Sequence, residues 1–176
     1  MNVIILVIVL LTIICTVNFL ITLALSRRIG VITAAQAGLL GNTLLPGDLA
    51  PEFIAEKLGG GVVTLGNYRG KSLGLIFVSP SCKPCTDAIP VYEASKAEAD
   101  QSGINLVLVS IAGMSETKEY IEKMGITLPV INAPRISNPF FQNYRVSGTP
   151  SYYLIDIEGR IQTIGYPIIE NGKLLL

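Results

Sequence analysis

Histidine is absent from the 176 residues of this chain. Its absence excludes catalysis by a histidine general base, serine–histidine triads, haem ligation through histidine and most catalytic zinc and copper sites. Cysteine is scarce as well, because the chain contains only three, too few for a disulfide-rich scaffold. Any chemistry in this protein must therefore use other side chains or one cysteine pair.

The chain also has no excess of positive or negative charge. Thirteen basic and thirteen acidic side chains give a formal net charge of zero, and the longest basic run is Arg27-Arg28. Nucleic-acid binding needs a concentrated basic surface. We therefore expect no nucleic-acid partner. The length allows one domain with a modest appendage.

Charged residues are absent from the first 25 positions, and Val3–Leu25 is rich in Ile, Leu and Val. At about 1.5 Å per residue this segment is long enough for a hydrocarbon core of roughly 30 Å. It lacks the basic start and small-residue cleavage site of a signal peptide, so a retained single-pass anchor is favoured over a cleaved signal. The sequence thus predicts an anchor over residues 1–28 that contacts the lipid bilayer, with Cys15 as a small apolar side chain inside it.

The charges after the anchor bear on its orientation. Arg27 and Arg28 follow it, and the positive-inside rule would place the following domain in the cytoplasm. Residues 29–43 are predicted to be a linker, because the segment contains several Gly and Ala residues. The globular domain is predicted to span residues 44–176.

Hydrophobic periodicity predicts an α/β domain with parallel and antiparallel strands. Leu73–Ser79 and Leu106–Ile111 are short apolar runs typical of buried central strands. Cys82–Gln101 has helical spacing and contains Pro90, which predicts a kink, while Asp87 and Glu93 on it are expected to be solvated. The other predicted elements are a strand over Val62–Leu65, a helix over Glu116–Met124, a helical turn begun by Asn138-Pro139 and ending near Tyr144, and a hairpin of Ser151–Ile157 with Arg160–Ile164.

A cysteine pair lies where a buried strand gives way to a helix, in the segment Ser81-Cys82-Lys83-Pro84-Cys85. The helix N-terminus favours a thiolate at Cys82, and Lys83 adds a positive charge. The spacing brings Cys85 within bridging reach, so Cys82 is the candidate nucleophile and Cys85 the resolving thiol. Ser81, Lys83 and Pro84 are expected to modulate this pair. A zinc site is disfavoured because two further ligands are lacking, whereas a static disulfide stays open.

A proline just before a predicted strand is the second candidate site. The Thr149-Pro150 bond can be cis at modest cost, unlike other peptide bonds. A cis proline beside a dithiol exposes the preceding backbone to an extended substrate. Thr149 and Pro150 are therefore the candidate substrate-binding residues, with a trans proline that starts an edge strand as the alternative.

Several motifs follow one another in a characteristic order along the domain. They are Pro46-Gly47-Asp48-Leu49-Ala50-Pro51-Glu52-Phe53, Leu65, Tyr68-Arg69-Gly70-Lys71, Cys82-Lys83-Pro84-Cys85, Pro90, Gly148-Thr149-Pro150, Leu154-Ile155-Asp156 and Gly159. With these motifs the chain resembles the thioredoxin superfamily and, within it, membrane-anchored TlpA/ResA-like thiol-disulfide oxidoreductases. The resemblance implies a thioredoxin-like fold, with a mixed central sheet flanked by helices, and disulfide exchange with protein substrates without a cofactor other than the redox-active disulfide.

A closer resemblance is to the MauD family of methylamine-utilisation accessory proteins. It rests on Leu23–Val31, which follows the predicted anchor, and on Phe77–Cys82. This resemblance implies disulfide formation or rearrangement in a cysteine-containing partner outside the cytoplasm. It therefore favours an extracytoplasmic domain in a single-pass protein of the cell membrane, whereas the positive-inside rule applied to Arg27-Arg28 favours a cytoplasmic one.

Three positions depart from these families. Ser81 replaces the usual tryptophan before the first cysteine, Ile76 replaces a buried aspartate, and Ala88 stands where ResA-like proteins have a glutamate. The departures put a fast thioredoxin-type reductase role in doubt. The families also continue into a final helix over the sheet, where we expect Leu174–Leu176 or a partner to pack.

Two other functions stay open. A thiol peroxidase of the AhpC/TSA type is suggested by Gly47–Pro51, and Ser79 fits its pattern, but Leu75 stands where the pattern needs proline. A non-redox membrane-tethered binding or chaperone module would keep the fold without using the cysteines. The protein substrate, the redox partner, the direction of electron flow and the oligomeric state do not follow from the sequence.

Overall fold

The computed structural model describes residues 5, 7, 11, 14–19, 43–170 and 173–175, and the chain divides into two compact units, Met1–Thr43 and Leu44–Leu176. In the first unit, the described residues up to 19 are helical. Of the helices in the described part of the chain, none has both the length and the apolar character to cross a bilayer. Most of the predicted anchor Val3–Leu25, and the predicted linker 29–43 up to residue 42, lie outside the described residues.

The second unit combines a mixed sheet, three α-helices and one short 3₁₀ helix within its described residues. In chain order the elements are β1 (Ile54–Lys57), β2 (Val62–Thr64), the 3₁₀ helix (Leu65–Tyr68), β3 (Ser72–Val78), α1 (Lys83–Gln101), β4 (Ile104–Ser110), α2 (Met114–Met124), β5 (Val130–Asn132), α3 (Phe140–Asn143), β6 (Ser151–Ile155), β7 (Ile161–Gly165), β8 (Ile169–Glu170) and β9 (Lys173–Leu174).

The strand order of the main sheet is β2-β1-β5-β4-β3-β6-β7, and β8 pairs separately with β9. Strands β3, β4 and β5 are parallel to one another, whereas β6 runs antiparallel to β3 and β7 antiparallel to β6. The carboxyl end of β3 therefore meets the start of β6 at one edge of the sheet. This mixed α/β sheet is the thioredoxin-like arrangement that the sequence predicts.

Burial on both faces explains the apolar run of β3. Leu73, Leu75 and Phe77 pack into one core, and Ile76 and Val78 pack into the other, beneath α1. A parallel strand covered on both faces has no solvated side to carry polar residues. The prediction that this strand and β4 are central and buried is confirmed.

Gly74 lies in β3 because the neighbouring strands leave no room for a side chain there. A Cβ atom at this position would lie 3.0 Å from Leu106 Cδ1 and 3.4 Å from the ring of Tyr152. The missing side chain lets the Tyr152 ring lie across the strand.

The first core is rich in aromatic rings. Phe53 stacks on Phe140 with their ring centroids 4.1 Å apart, and Phe77 meets Phe140 edge-on at 5.2 Å. Tyr153 donates a hydrogen bond to the backbone carbonyl of Tyr144. These contacts hold α3 and the segment after it against the sheet, and that segment leads directly to Thr149 and Pro150.

The second core is closed in part by the last described residues. Leu174 in β9 is buried against α1, and its backbone N–H donates to Ser95 Oγ at 3.1 Å. Leu174 therefore packs onto the domain core, and whether it replaces the final helix of the related families stays a prediction. Leu175, the next residue, is 48% exposed.

The remaining secondary-structure predictions hold with small changes of boundary. Helix α2 ends at Gly125, which adopts φ 62°, and β6 with β7 forms the predicted hairpin. Helix α3 spans Phe140–Asn143, one residue later than predicted, but Asn138 Oδ1 accepts the Phe140 N–H at 2.9 Å, which is the capping hydrogen bond predicted for Asn138. Helix α1 runs through Pro90 without interruption, and its kink stays a prediction.

Candidate active site

The site begins where β3 ends. The backbone N–H of Ile111, just after β4, donates to the carbonyl of Val78 at 3.1 Å and fixes the end of this central strand. The chain then turns through Ser79, whose carbonyl accepts the Cys82 N–H at 3.0 Å. The turn delivers Cys82 to the N-cap position of α1, as the sequence predicts.

Cys82 and Cys85 form a disulfide across the first turn of α1, with their Cα atoms 5.2 Å apart. Cys82 is partly exposed, while Cys85 is fully buried. Cys82 Sγ accepts a hydrogen bond from the Cys85 backbone N–H at 3.2 Å. The same N–H would stabilise a Cys82 thiolate in the reduced pair, because it is one of the unpaired donors at the helix N-terminus.

The loop before β6 supplies the second side of the site. The Thr149-Pro150 peptide bond is cis, as the sequence predicts. The carbonyl oxygen of Thr149 lies 3.3 Å from Cys82 Sγ, although the two residues are far apart in the chain. Thr149 is partly exposed and Pro150 is buried. The structure therefore brings the predicted substrate-binding pair into contact with the predicted nucleophile.

Three other predicted residues surround the dithiol. Ser81 is exposed, and its hydroxyl lies 2.9 Å from that of Ser79. Pro84 occupies the first turn of α1, where a missing N–H costs nothing. Lys83 is also exposed. Its ammonium group forms an ion pair with Asp87, at 2.9 Å from a carboxylate oxygen.

Asp87 is the neighbour that the sequence reasoning missed. It was expected to be a solvated carboxylate, and it is exposed, yet it accepts two hydrogen bonds from Lys83 at 2.9 and 3.2 Å. The signal was available in the sequence, since residues four apart share one face of a helix. Glu93 was also expected to be solvated, and it is partly exposed, but its carboxylate also accepts hydrogen bonds from the backbone N–H groups of Thr127 and Leu128.

Buried carboxylates are absent from the described part of the domain, where every Asp and Glu retains solvent exposure. Ile76 is buried in β3, and Ala88 lies one turn after Cys85 on the buried face of α1. Apolar side chains thus fill positions where related families place an acid. Besides Cys85, the titratable side chains buried in the core that holds Ile76 and Ala88 are tyrosines, and burial raises the pKa of Tyr152 to about 12.

The described residues contain no cluster of three or more His, Cys, Asp or Glu side chains that could hold a metal ion. The reacting group is the disulfide itself, which takes up two electrons when it opens into two thiols. The fold and this disulfide together place the chain among the thiol-disulfide oxidoreductases with a thioredoxin-like fold.

Family comparison makes this assignment more specific. The sequence model of the AhpC/TSA family matches residues 46–164, which include the whole site, and the chain belongs to that family.

Several similar proteins are named for thiol-disulfide chemistry or for thioredoxin. The chain is 27% identical over 119 residues to the thiol-disulfide oxidoreductase ResA of Geobacillus thermodenitrificans, and the match covers 67% of each chain. It is 30% identical over 121 residues to the thioredoxin-like protein YneN of Bacillus subtilis, covering 67% of this chain and 69% of YneN. Among solved structures it is similar to a Chlorobium tepidum protein assigned as the thiol:disulfide interchange protein DsbE, with a TM-score of 0.64, 26% identity and coverage of 70% of this chain and 86% of the other.

Proposed function

We propose that this protein is a membrane-anchored thiol-disulfide oxidoreductase whose Cys82–Cys85 pair exchanges disulfides with protein substrates outside the cytoplasm. One observation carries the proposal. The partly exposed sulfur of Cys82 lies at the N-terminus of α1 and 3.3 Å from the carbonyl of Thr149. A substrate strand that pairs with the backbone at Thr149 would bring its own sulfur to Cys82.

The exchange proceeds in two balanced steps. The Cys82 thiolate attacks one sulfur of a substrate disulfide, so that a mixed disulfide forms and the other substrate sulfur leaves as a thiolate and takes up a proton. Cys85 then loses its proton and attacks Cys82 Sγ, which closes the Cys82–Cys85 disulfide and releases the second substrate thiol. Two electrons pass from the protein to the substrate, and the reverse sequence oxidises a substrate dithiol.

The difference in exposure supports different roles for the two cysteines. Cys82 would make the mixed disulfide because its sulfur is partly exposed, whereas Cys85, on the buried face of α1, would resolve it. The cycle needs a redox partner that reduces or oxidises the pair after each turnover. The direction of flow follows from the reduction potential of the pair.

The N-terminal segment supports the membrane part of the proposal. Val3–Leu25 contains no charge, and its described helical residues include exposed apolar side chains such as Leu11 and Phe19, at 59% and 64%. A helix with apolar side chains on its outside suits a lipid environment. We place the domain outside the cytoplasm on the resemblance to the MauD family, so its substrate would be a cysteine-containing protein that matures there.

The test of this function is the equilibrium between the full chain and glutathione, read by alkylation of free thiols. A pair that cycles between dithiol and disulfide supports exchange, and the Cys82→Ser/Cys85→Ser variant is the control that must not cycle. A potential at or below about −250 mV would indicate a reductase, and one near −120 to −180 mV would indicate disulfide formation or isomerisation. Failure of the pair to cycle would overturn the proposal in favour of a non-redox binding module.

A thiol peroxidase is the second candidate, because the AhpC/TSA family model covers the whole site. Two features of the chain disfavour it. Leu75, buried in the middle of β3, stands where the peroxidase pattern needs proline, and Cys82 is bonded to a cysteine only one helical turn away. Consumption of hydrogen peroxide with dithiothreitol as the thiol donor separates the two functions, and we expect none above the rate of the double serine variant.

A further inference from the structure

We propose that Asp87 is a positioning residue that sets the reactivity of Cys82 by holding the ammonium group of Lys83 away from it. This inference rests on the proposed disulfide exchange and adds a residue that controls its direction. Lys83 directly follows Cys82, so its charge is the nearest one along the chain. In the structure that charge is paired with the carboxylate of Asp87.

The ammonium of Lys83 donates to both oxygens of Asp87, at 3.2 and 2.9 Å. Asp87 lies five residues after Cys82, about 7.5 Å further along the axis of an α-helix. A lysine bound to it points down the helix, whereas the reacting sulfur lies at the other end of the first turn. The ion pair thus displaces the positive charge and neutralises it at the same time.

Few other charges reach the dithiol. The segments 79–81, 111–115 and 146–151, which carry or adjoin the site, contain no Asp, Glu, Lys or Arg. The nearest charges flanking them are Arg145 and Glu116, and Glu116 caps Gly113 at the start of α2. The phenols in the core on the buried side of α1 are Tyr92 of α1 itself, Tyr120 of α2 and Tyr152 of β6, and burial raises the pKa of each, which keeps them neutral. Lys83 and Asp87 are therefore the charged pair closest to the sulfur in the surrounding segments.

The sign of the effect follows from the reduced state. A free positive charge beside Cys82 stabilises its thiolate, which stabilises the reduced pair and makes the disulfide a stronger oxidant. By holding Lys83, Asp87 weakens this stabilisation and favours the disulfide. Asp87 thus shifts the protein toward the reductant end of its range.

The test uses the full chain in mild detergent and compares Asp87→Asn, Lys83→Gln and the double variant. The readouts are the equilibrium constant for oxidation by glutathione disulfide and the thiolate fraction measured by ultraviolet absorbance against pH. Because both side chains are exposed, we expect Asp87→Asn to lower the oxidation constant by about two- to fivefold and to raise the thiolate fraction near neutral pH. Asp100→Asn is the control. It removes an equal charge that lies about 20 Å beyond Asp87 along the axis of α1, still further from Cys82, and should change neither readout.

The double variant shows whether Asp87 acts through Lys83. If it does, Asp87→Asn should change the constant far less in the Lys83→Gln background than in the wild type. An equal change in both backgrounds, no change with Asp87→Asn alone, or an equal change with Asp100→Asn would each overturn the inference. A wild-type chain that does not cycle at all would instead overturn the proposed function, and thermal unfolding of each variant checks that the fold is intact.

Discussion

Two cysteines that share one helical turn have different surroundings. Cys82 is half-buried at the N-cap of α1, and its sulfur receives the Cys85 N–H and lies near the Thr149 carbonyl. Cys85 lies on the buried face of α1, among apolar side chains. A thiolate is stabilised by unpaired N–H donors and is destabilised by an apolar environment. The surroundings of Cys82 therefore favour reaction with a partner, and those of Cys85 favour reaction with Cys82.

This asymmetry predicts the order of alkylation in the reduced protein. We expect iodoacetamide to modify Cys82 at least about tenfold faster than Cys85, because only Cys82 combines exposure with thiolate stabilisation. Peptide mapping by mass spectrometry at short reaction times measures the two rates and keeps the exposed Cys15 apart from both. Cys82→Ser should leave Cys85 slow. Equal rates for the two cysteines would contradict the assignment of nucleophile and resolving thiol.

Helix α1 is fastened at its middle as well as at its N-terminus. The carboxylate of Glu93 accepts the backbone N–H groups of Thr127 and Leu128, each at 2.9 Å, and also the Thr127 hydroxyl. Burial alone would raise the pKa of Glu93. The hydrogen bonds from Thr127 and Leu128, together with the charge of Lys96, outweigh it and hold that pKa below its ordinary value. The carboxylate thus ties α1 to the segment that leads into β5.

Removing this charge should loosen that tie. Glu93→Gln keeps the shape of the side chain but weakens hydrogen bonds that an ionised acceptor makes strong, and partial exposure to solvent reduces the loss to about 1 to 2 kcal/mol in the free energy of unfolding. Urea denaturation followed by circular dichroism measures it. Glu119→Gln on the exposed face of α2 is the control and should change stability by less than about 0.5 kcal/mol.

The same carboxylate predicts a pH dependence. A folded-state pKa below the unfolded value gives a stabilisation that is complete above about pH 4.3, the ordinary value for Glu, and is lost as pH falls through the lower folded-state value. The gap in stability between the wild type and Glu93→Gln should therefore close as the solution is acidified through this range. A gap that stays constant from neutral pH to below this range would show that ionised Glu93 is not the stabilising group.

At the scale of the whole molecule, the sequence predicts what depends on local pattern. The apolar runs of β3 and β4, the spacing of Cys82 and Cys85, and the turn between β6 and β7 all lie within short stretches, and each is found where predicted. The hydrogen bonds of Glu93 were not predicted because its partners lie 34 and 35 residues away, and no local pattern encodes that contact. The ion pair of Lys83 with Asp87 could have been predicted, since the two residues lie four apart on the predicted helix and so share one of its faces.

The end of the described chain was the hardest part to foresee. Leu174 is 2% exposed and Leu175 is 48% exposed, although the run of three leucines gives no reason to rank them. The difference arises because β9 pairs with β8 in a register that presents Leu174 to α1, where Ser95 Oγ receives its backbone N–H. One side chain from a two-stranded hairpin thus completes a core to which α1, α2 and the sheet also contribute.

This packing predicts a stability difference between neighbouring leucines. Leu174→Ala removes buried atoms and leaves a cavity against α1, so it should cost about 2 kcal/mol, the low end for a buried leucine because a short hairpin can relax into the space. Leu175→Ala is the matched control and should cost less than about 0.5 kcal/mol. The chain has seven tyrosines and no tryptophan, so urea unfolding can be followed by tyrosine fluorescence. Equal losses for the two variants would mean that β9 does not close the core, and the face of α1 around Ser95 would then be open to a partner.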